Sequence, residues 1–376
     1  MNKIFNTHLT PEESDYLEHY KITTRDQSII NNKINIPYLF TPLNKILPKW
    51  IVPNMITLTG NFVPIIVYLL TVIVEPDFTK PVPSWLCVLM SFAILMFFLC
   101  DSIDGMRARS SGVCSPIGDW LDHSMDNITY FCFVAYFDHM FCTGNLLTMM
   151  AIVLSMVYTS YFVQIEAIFT HTINLGIINA SCEGLMAVTL VPIFNIFVPL
   201  KDITIFGIPF IYPVIVGTST LLLSHCLTMT MALKEQFPNQ PEILKKAFVM
   251  FGNGVVCIIV GLVFYYVFAG EYTPYNYMFT NLWIYFSSIV YVNMIIQARL
   301  FNRKHPRIWD VKSIVCLVLP FVLIVFVGYQ TAIIISAVVS GIIMWTDWVC
   351  TIKAMLNALG LRLFQTEPTR FAPKKK

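Results

Sequence analysis

The stretch DSIDGMRARSSGVCSPIGDWLDHSMD, residues 101–126, decides how this sequence is read. Asp101 and Asp104 close one apolar run; Asp119, Asp122 and Asp126 open the next. Residues three or four apart share a helix face, so Asp101 pairs with Asp104 and Asp122 with Asp126. A short connection between the two helices then brings four carboxylates together just inside a membrane. Each ionised aspartate at mid-bilayer costs about 2.5–3.5 kcal/mol, and less near an interface. Four of them, repelling one another, total on the order of 10 kcal/mol without compensation. A solvated loop with helix-capping acids has no need of two same-face pairs on hydrophobic helices. Oxygen-only ligands of high charge suit one or two hard divalent cations, Mg2+ or Mn2+, which commonly meet phosphates. Arg107 and Arg109 are placed to offset two of the charges, and Gly105 and Gly118 let the backbone come close to a ligand. A paired metal site beside arginines is a site for phosphate chemistry.

The rest of the chain supplies the membrane. Of 376 residues, 56% are hydrophobic and 12% charged, and mean hydropathy is +0.68. A soluble domain carries about 25% charged residues, so a soluble enzyme and a disordered protein are both excluded. The near balance of 24 Lys+Arg against 22 Asp+Glu excludes a nucleic-acid binder. Apolar runs of the length needed to cross about 30 Å of hydrocarbon recur from residue 54 onward. There are ten: 54–76, 85–103, 119–140, 146–168, 183–200, 207–232, 248–269, 275–298, 313–328 and 331–355. None alternates as a barrel strand does. The fold class is therefore all-α, a polytopic integral membrane protein with about ten transmembrane helices and an acidic metal site where helices 2 and 3 join.

An even count places both termini on one side. With the N-terminus cytoplasmic, the opposite-side connections hold only Lys80 and Lys201, and the other Lys and Arg all face the cytoplasm. Residues 37–52 (PYLFTPLNKILPKWIV) read as an interfacial stretch with Trp50 at the boundary. No basic-then-apolar start is present, and a cleavable signal peptide is not expected. The ten scattered cysteines show no CxxC or His/Cys ligand spacing and read as small core residues. The expected division is a cytoplasmic and interfacial segment at 1–52, a catalytic core at 53–200, C-terminal transmembrane helices at 201–355, and a basic cytoplasmic tail at 356–376.

The acidic stretch resembles the signature of the CDP-alcohol phosphotransferases, D-x2-D-G-x2-A-R-x8-G-x3-D-x3-D. It matches at all eight fixed positions: Asp101, Asp104, Gly105, Ala108, Arg109, Gly118, Asp122 and Asp126. With each residue type at about 6%, an independent match is expected below ~10⁻⁹ per starting position. Three further stretches resemble the eukaryotic choline/ethanolamine phosphotransferase branch: YKITTRDQS (20–28), WIVPNMITLTG (50–60) and INASCEG (178–184), the last with Asn179, Glu183 and Gly184 retained. Two departures stand out. Where that branch has G-E-x-x-D-H-G-x-D this chain has GDWLDHSMD, so Glu becomes Asp119 and Gly becomes Ser124, which adds a side chain beside the metals.

The resemblance implies a phospholipid-synthesising transferase of the endoplasmic reticulum or Golgi. It would move phosphoethanolamine or phosphocholine from CDP-ethanolamine or CDP-choline to the hydroxyl of diacylglycerol, releasing CMP. It further implies two Mg2+ or Mn2+ ions on Asp101, Asp104, Asp122 and Asp126, diphosphate on Arg109, and a nucleotide pocket lined by Asn54, Gly105 and Gly118, with Asn179 as a further substrate contact. The base must lie on the lipid side of the metals. Asp126 is the first choice, being deepest along its helix; His123, with an intrinsic pKa near ~6.5, is the alternative, and Glu183 the third. A homodimer is implied as well. Two other classes remain open: a cation-coupled transporter, which would spread its acidic residues along a midplane pathway, and a catalytically inactive relative. Asp347 and His225, inside spans, are expected to be satisfied by helix–helix hydrogen bonds, and Glu166 is placed between that role and a functional one.

Overall fold

A segment in hydrocarbon must satisfy its own backbone, and each of the ten apolar stretches forms a helix. The computed structural model describes residues 5, 8–21, 23–175, 183–269, 273–303 and 310–371. A short capped helix, α1 (Pro11–Glu18), opens the chain, and an interfacial helix follows: a π-helical stretch at Asn31–Phe40 continuing into α2 (Thr41–Ile46). The apolar helices are α3 (Pro53–Val74), α4 (Ser84–Ser111), α5 (Pro116–Phe141), α6 (Leu146–Thr170), α7 (Leu185–Phe197), α8 (Ile211–Gln236), α9 (Pro241–Phe268), α10 (Pro274–Leu300), α11 (Val311–Val327) and α12 (Tyr329–Leu359).

Among the described residues, seven helices are long and apolar enough to cross a membrane: α3, α4, α6, α8, α9, α10 and α12. The remaining three differ for identifiable reasons. The apolar helices α7 and α11 are short, at 13 and 17 residues. The 26-residue α5 carries Asp119, Asp122, Asp126 and Asp138 on an otherwise apolar helix. Large apolar side chains on the outside, among them Ile73, Leu190, Met231 and Phe326, suit a surface facing lipid. The protein is an all-α integral membrane protein.

Two short strands, β1 (Thr23–Asp26) and β2 (Thr172–Leu175), pair in parallel with Thr23 opposite Thr172, tying the N-terminal segment to the end of α6. A second small pair, Thr204–Ile205 with Ile208–Pro209, lies between α7 and α8. The core is built from α3 against α4 and α5, and from α10, the most buried spanning helix, against α5, α6, α9 and α12. Gly60 shows how close α3 and α4 come: a Cβ there would lie 2.5 Å from the Cβ of Cys100. That contact sits one residue before Asp101, so the acidic end of α4 is held hard against α3. The cysteines among the described residues are free and mostly buried.

Candidate active site

Local sequence explains the turn that assembles the site. Gly112 ends α4 in the left-handed conformation (φ 76°), which glycine adopts at no steric cost. Ser115 caps α5 by accepting the Gly118 amide at 3.2 Å, and Pro116 occupies the first helical turn, where its missing N–H costs nothing. Only residues 112–115 separate the two helices, and α4 runs past the apolar limit at 103 to carry Arg107 and Arg109 on its last turns.

The four aspartates lie near enough to influence one another. Asp122 acts electrostatically on Asp101, Asp104 and Asp126, and Asp101 on Asp104 and Asp126. Asp104 is buried and accepts the Thr57 hydroxyl of α3 at 2.5 Å. Asp122, His123 and Asp126 offer ligand atoms within 4.8 Å of one another. One oxygen each of Asp122 and Asp126 is buried with no hydrogen-bond partner. A buried, unpaired carboxylate oxygen costs several kcal/mol, so this end of α5 offers hard oxygen donors suited to a cation. The donor set fits a divalent metal.

A cavity of about 800 Å³ opens onto this cluster, within the range that holds a nucleotide-sized ligand. Its lining includes Asn54, Asp104, Gly105, Arg109, Gly118, Asp119, Asp122 and His123. Gly105 leaves room for a functional side chain, since a Cβ there would press to 3.2 Å of Arg109 Nη1. Asp101 and Asp126 are in the electrostatic cluster but not on the cavity wall. Glu183 is elsewhere: its carboxylate takes the hydroxyl of the buried Ser28. Asn179 lies outside the described residues.

His123 stands between two carboxylates, with Nε2 3.4 Å from Asp119 Oδ1 and Nδ1 3.4 Å from Asp122 Oδ2. Asp119 is itself anchored. Its Oδ2 receives the Arg299 guanidinium from α10 at 2.8 Å and the Tyr20 hydroxyl at 2.8 Å, while Arg299 also donates to the Tyr20 oxygen at 2.8 Å. Burial pushes the Tyr20 phenol well above its ordinary value, so it stays a donor to the carboxylate. Arg299 is almost wholly buried, and nothing in its local sequence sets it apart from the neighbouring basic residues.

Two expectations are corrected. Arg107 does not offset the aspartates: it donates to the carbonyls of Ile51 at 3.1 Å and Pro48 at 2.6 Å, capping the interfacial segment. Ser124 is fully buried and accepts the Trp348 indole N–H of α12 at 2.8 Å. His225 bonds within its own helix, to the Leu221 carbonyl at 3.0 Å. Asp347 is satisfied between helices, by Gln297 at 2.8 Å and by Lys312. Glu166 accepts the Asn174 amide at 2.5 Å.

Residues 50–229 match the family model described as CDP-alcohol phosphatidyltransferase. The chain is 27% identical over 144 residues to ethanolaminephosphotransferase 1 of Pongo abelii, covering 37% of this chain and 36% of that protein. It is 31% identical over 170 residues to choline/ethanolaminephosphotransferase 1 of Arabidopsis thaliana, covering 45% and 43%. It is also 28% identical over 178 residues to a CDP-diacylglycerol–serine O-phosphatidyltransferase of Encephalitozoon cuniculi (strain GB-M1), covering 47% and 46%. These matches span between about a third and a half of each relative's length.

Proposed function

We propose, from the premise that residues 50–229 are a CDP-alcohol phosphatidyltransferase domain, that the protein moves phosphoethanolamine or phosphocholine from the CDP-alcohol to diacylglycerol. The observation that carries this reading is the unpaired, buried carboxylate oxygens of Asp122 and Asp126 beside a nucleotide-sized cavity. Asp101, Asp104, Asp122 and Asp126 would hold two Mg2+ or Mn2+ ions, which when bound would neutralise the diphosphate and polarise the β-phosphorus.

The chain's own residues divide the remaining work. Arg109, on the cavity wall, binds diphosphate oxygens, and Asn54, Gly105 and Gly118 line the nucleotide pocket. The diacylglycerol oxygen forms a bond to the β-phosphorus as the bond to CMP breaks, and its proton passes to a base. Of the three candidates, His123 lines the cavity, Asp126 does not, and Glu183 is engaged by Ser28. Asp119 beside Nε2 steadies the protonated imidazole, and Arg299 with Tyr20 fixes Asp119. The reading includes both termini in the cytoplasm of an endoplasmic reticulum or Golgi membrane, and a homodimer.

A second reading, transfer from CDP-diacylglycerol to serine, is favoured by the likeness to the Encephalitozoon cuniculi protein. Purified protein with diacylglycerol, Mg2+ or Mn2+, and radiolabelled CDP-choline or CDP-ethanolamine decides between them. Label entering chloroform-soluble lipid is the expected result. No label from either donor with either metal contradicts the proposal, and label from serine with CDP-diacylglycerol establishes the second reading instead.

A further inference from the structure

The chain after α12 returns to the cavity. Gly360 (φ 63°) reverses it, with the Leu361 amide closing on the Leu356 carbonyl at 3.2 Å. From there residues 361–371 run across the ends of α3, α4 and α5, held by bonds to the parts that shape the site. Asn54, on the cavity wall, donates Nδ2 to the Leu363 carbonyl at 2.6 Å. Thr369 is buried, its amide bonded to the Gly112 carbonyl at 2.8 Å and its hydroxyl to the Cys114 carbonyl. Both carbonyls belong to the turn that positions Gly118 and Asp122. Arg370 and Phe371, the next two residues, line the cavity.

We propose that residues 361–371 are a strap of the nucleotide-binding site, with Arg370 supplying a cation to the cytidine diphosphate and Phe371 an apolar face to its nucleoside. This rests on the function proposed above and extends its donor site to a segment outside residues 50–229. The Arg370 side chain is half exposed, and its partner Glu18 stands at 3.5 Å, also half exposed. An exposed pair of that length contributes little, so a diphosphate oxygen readily replaces the carboxylate. The guanidinium carbon lies 5.3 Å from the Phe371 ring centroid, so the two side chains sit together on the cavity wall. Asn54 couples strap and pocket, because one side chain serves both.

The test uses the full chain in detergent and two independent readouts. First, trypsin cleavage after Arg370 is timed with and without CDP and Mn2+. The strap predicts at least fivefold slower cleavage when CDP is bound. Second, the KM for the CDP-alcohol is measured for Arg370→Ala, Phe371→Ala and the exposed strap variant Glu367→Gln, which stands outside the cavity. Arg370→Ala is expected to raise KM about tenfold, the loss of one charge-assisted hydrogen bond to phosphate. Phe371→Ala raises it by a smaller factor, and Glu367→Gln leaves it unchanged. Unaltered cleavage, or a KM in the first two variants equal to or below that of the unsubstituted protein, overturns the strap. If the unsubstituted protein turns over CDP-alcohol while these readouts stay flat, the strap alone fails. If it neither binds CDP nor turns over, both readings fail.

Discussion

The two ends of α5 carry the same chemistry and treat it in opposite ways. At one end stand Asp122, His123 and Asp126; at the other, Asp138 and His139. Asp138 is fully buried, yet both of its oxygens are used, one by the Thr143 hydroxyl and the other by the Tyr277 hydroxyl. The His139 imidazole is buried and stacks on Phe78 at 5.2 Å, and an imidazole can be buried uncharged. At the first end, Asp122 and Asp126 each keep a buried oxygen unpaired, and a cavity reaches Asp122. Protein donors take up both oxygens of Asp138, whereas one oxygen each of Asp122 and Asp126 is left without one. A carboxylate satisfied by its own chain holds helices together, whereas one left open is reserved for a ligand.

The largest expected effect falls on that distinction. Asp122→Asn should lower transfer on the order of a thousandfold or more while the protein still unfolds at a normal temperature. Asp138→Asn should leave transfer within a few fold. Equal losses in both, in the labelled-lipid assay, would erase the contrast between the ends.

Next comes the anchor behind His123. Arg299→Ala leaves Asp119 buried without its cation and should destabilise the protein by about 3–5 kcal/mol, read as a lower thermal unfolding midpoint. Arg299→Lys should recover only part, because one ammonium cannot span both Asp119 and Tyr20 as the guanidinium does. At the far end, Tyr277→Phe strips one donor from Asp138 and should cost about 1–3 kcal/mol of stability with the KM for the CDP-alcohol unchanged. Smallest of all, Trp348→Phe removes the donor to Ser124 and should cost about 0.5–1.5 kcal/mol by the same measurement.

Sequence periodicity was enough for the helices and for the acidic cluster. All ten apolar stretches are helices, and Asp101, Asp104, Asp122 and Asp126 act on one another electrostatically across the short turn between α4 and α5. Where partners are far apart in the chain, no local pattern reports them. Arg299 reaches Asp119 across 180 residues and Tyr20 across 279. Thr369 reaches Cys114 across 255. Arg107 shows the opposite case: its nearness in sequence to Asp104 suggests a charge partner, but the helix turns its side chain toward the Pro48 and Ile51 carbonyls. Ser124 likewise follows Asp122 and His123 in sequence yet bonds to Trp348 of α12.

The proposal that the open end of α5 holds a divalent cation is tested most directly by Mn2+ binding to the purified protein, followed by loss of the free-ion electron paramagnetic resonance signal, with no substrate present. The unsubstituted protein and Asp138→Asn are predicted to bind Mn2+ alike, and Asp122→Asn to lose at least one ion. Equal binding in Asp122→Asn, or none in the unsubstituted protein, would contradict the account.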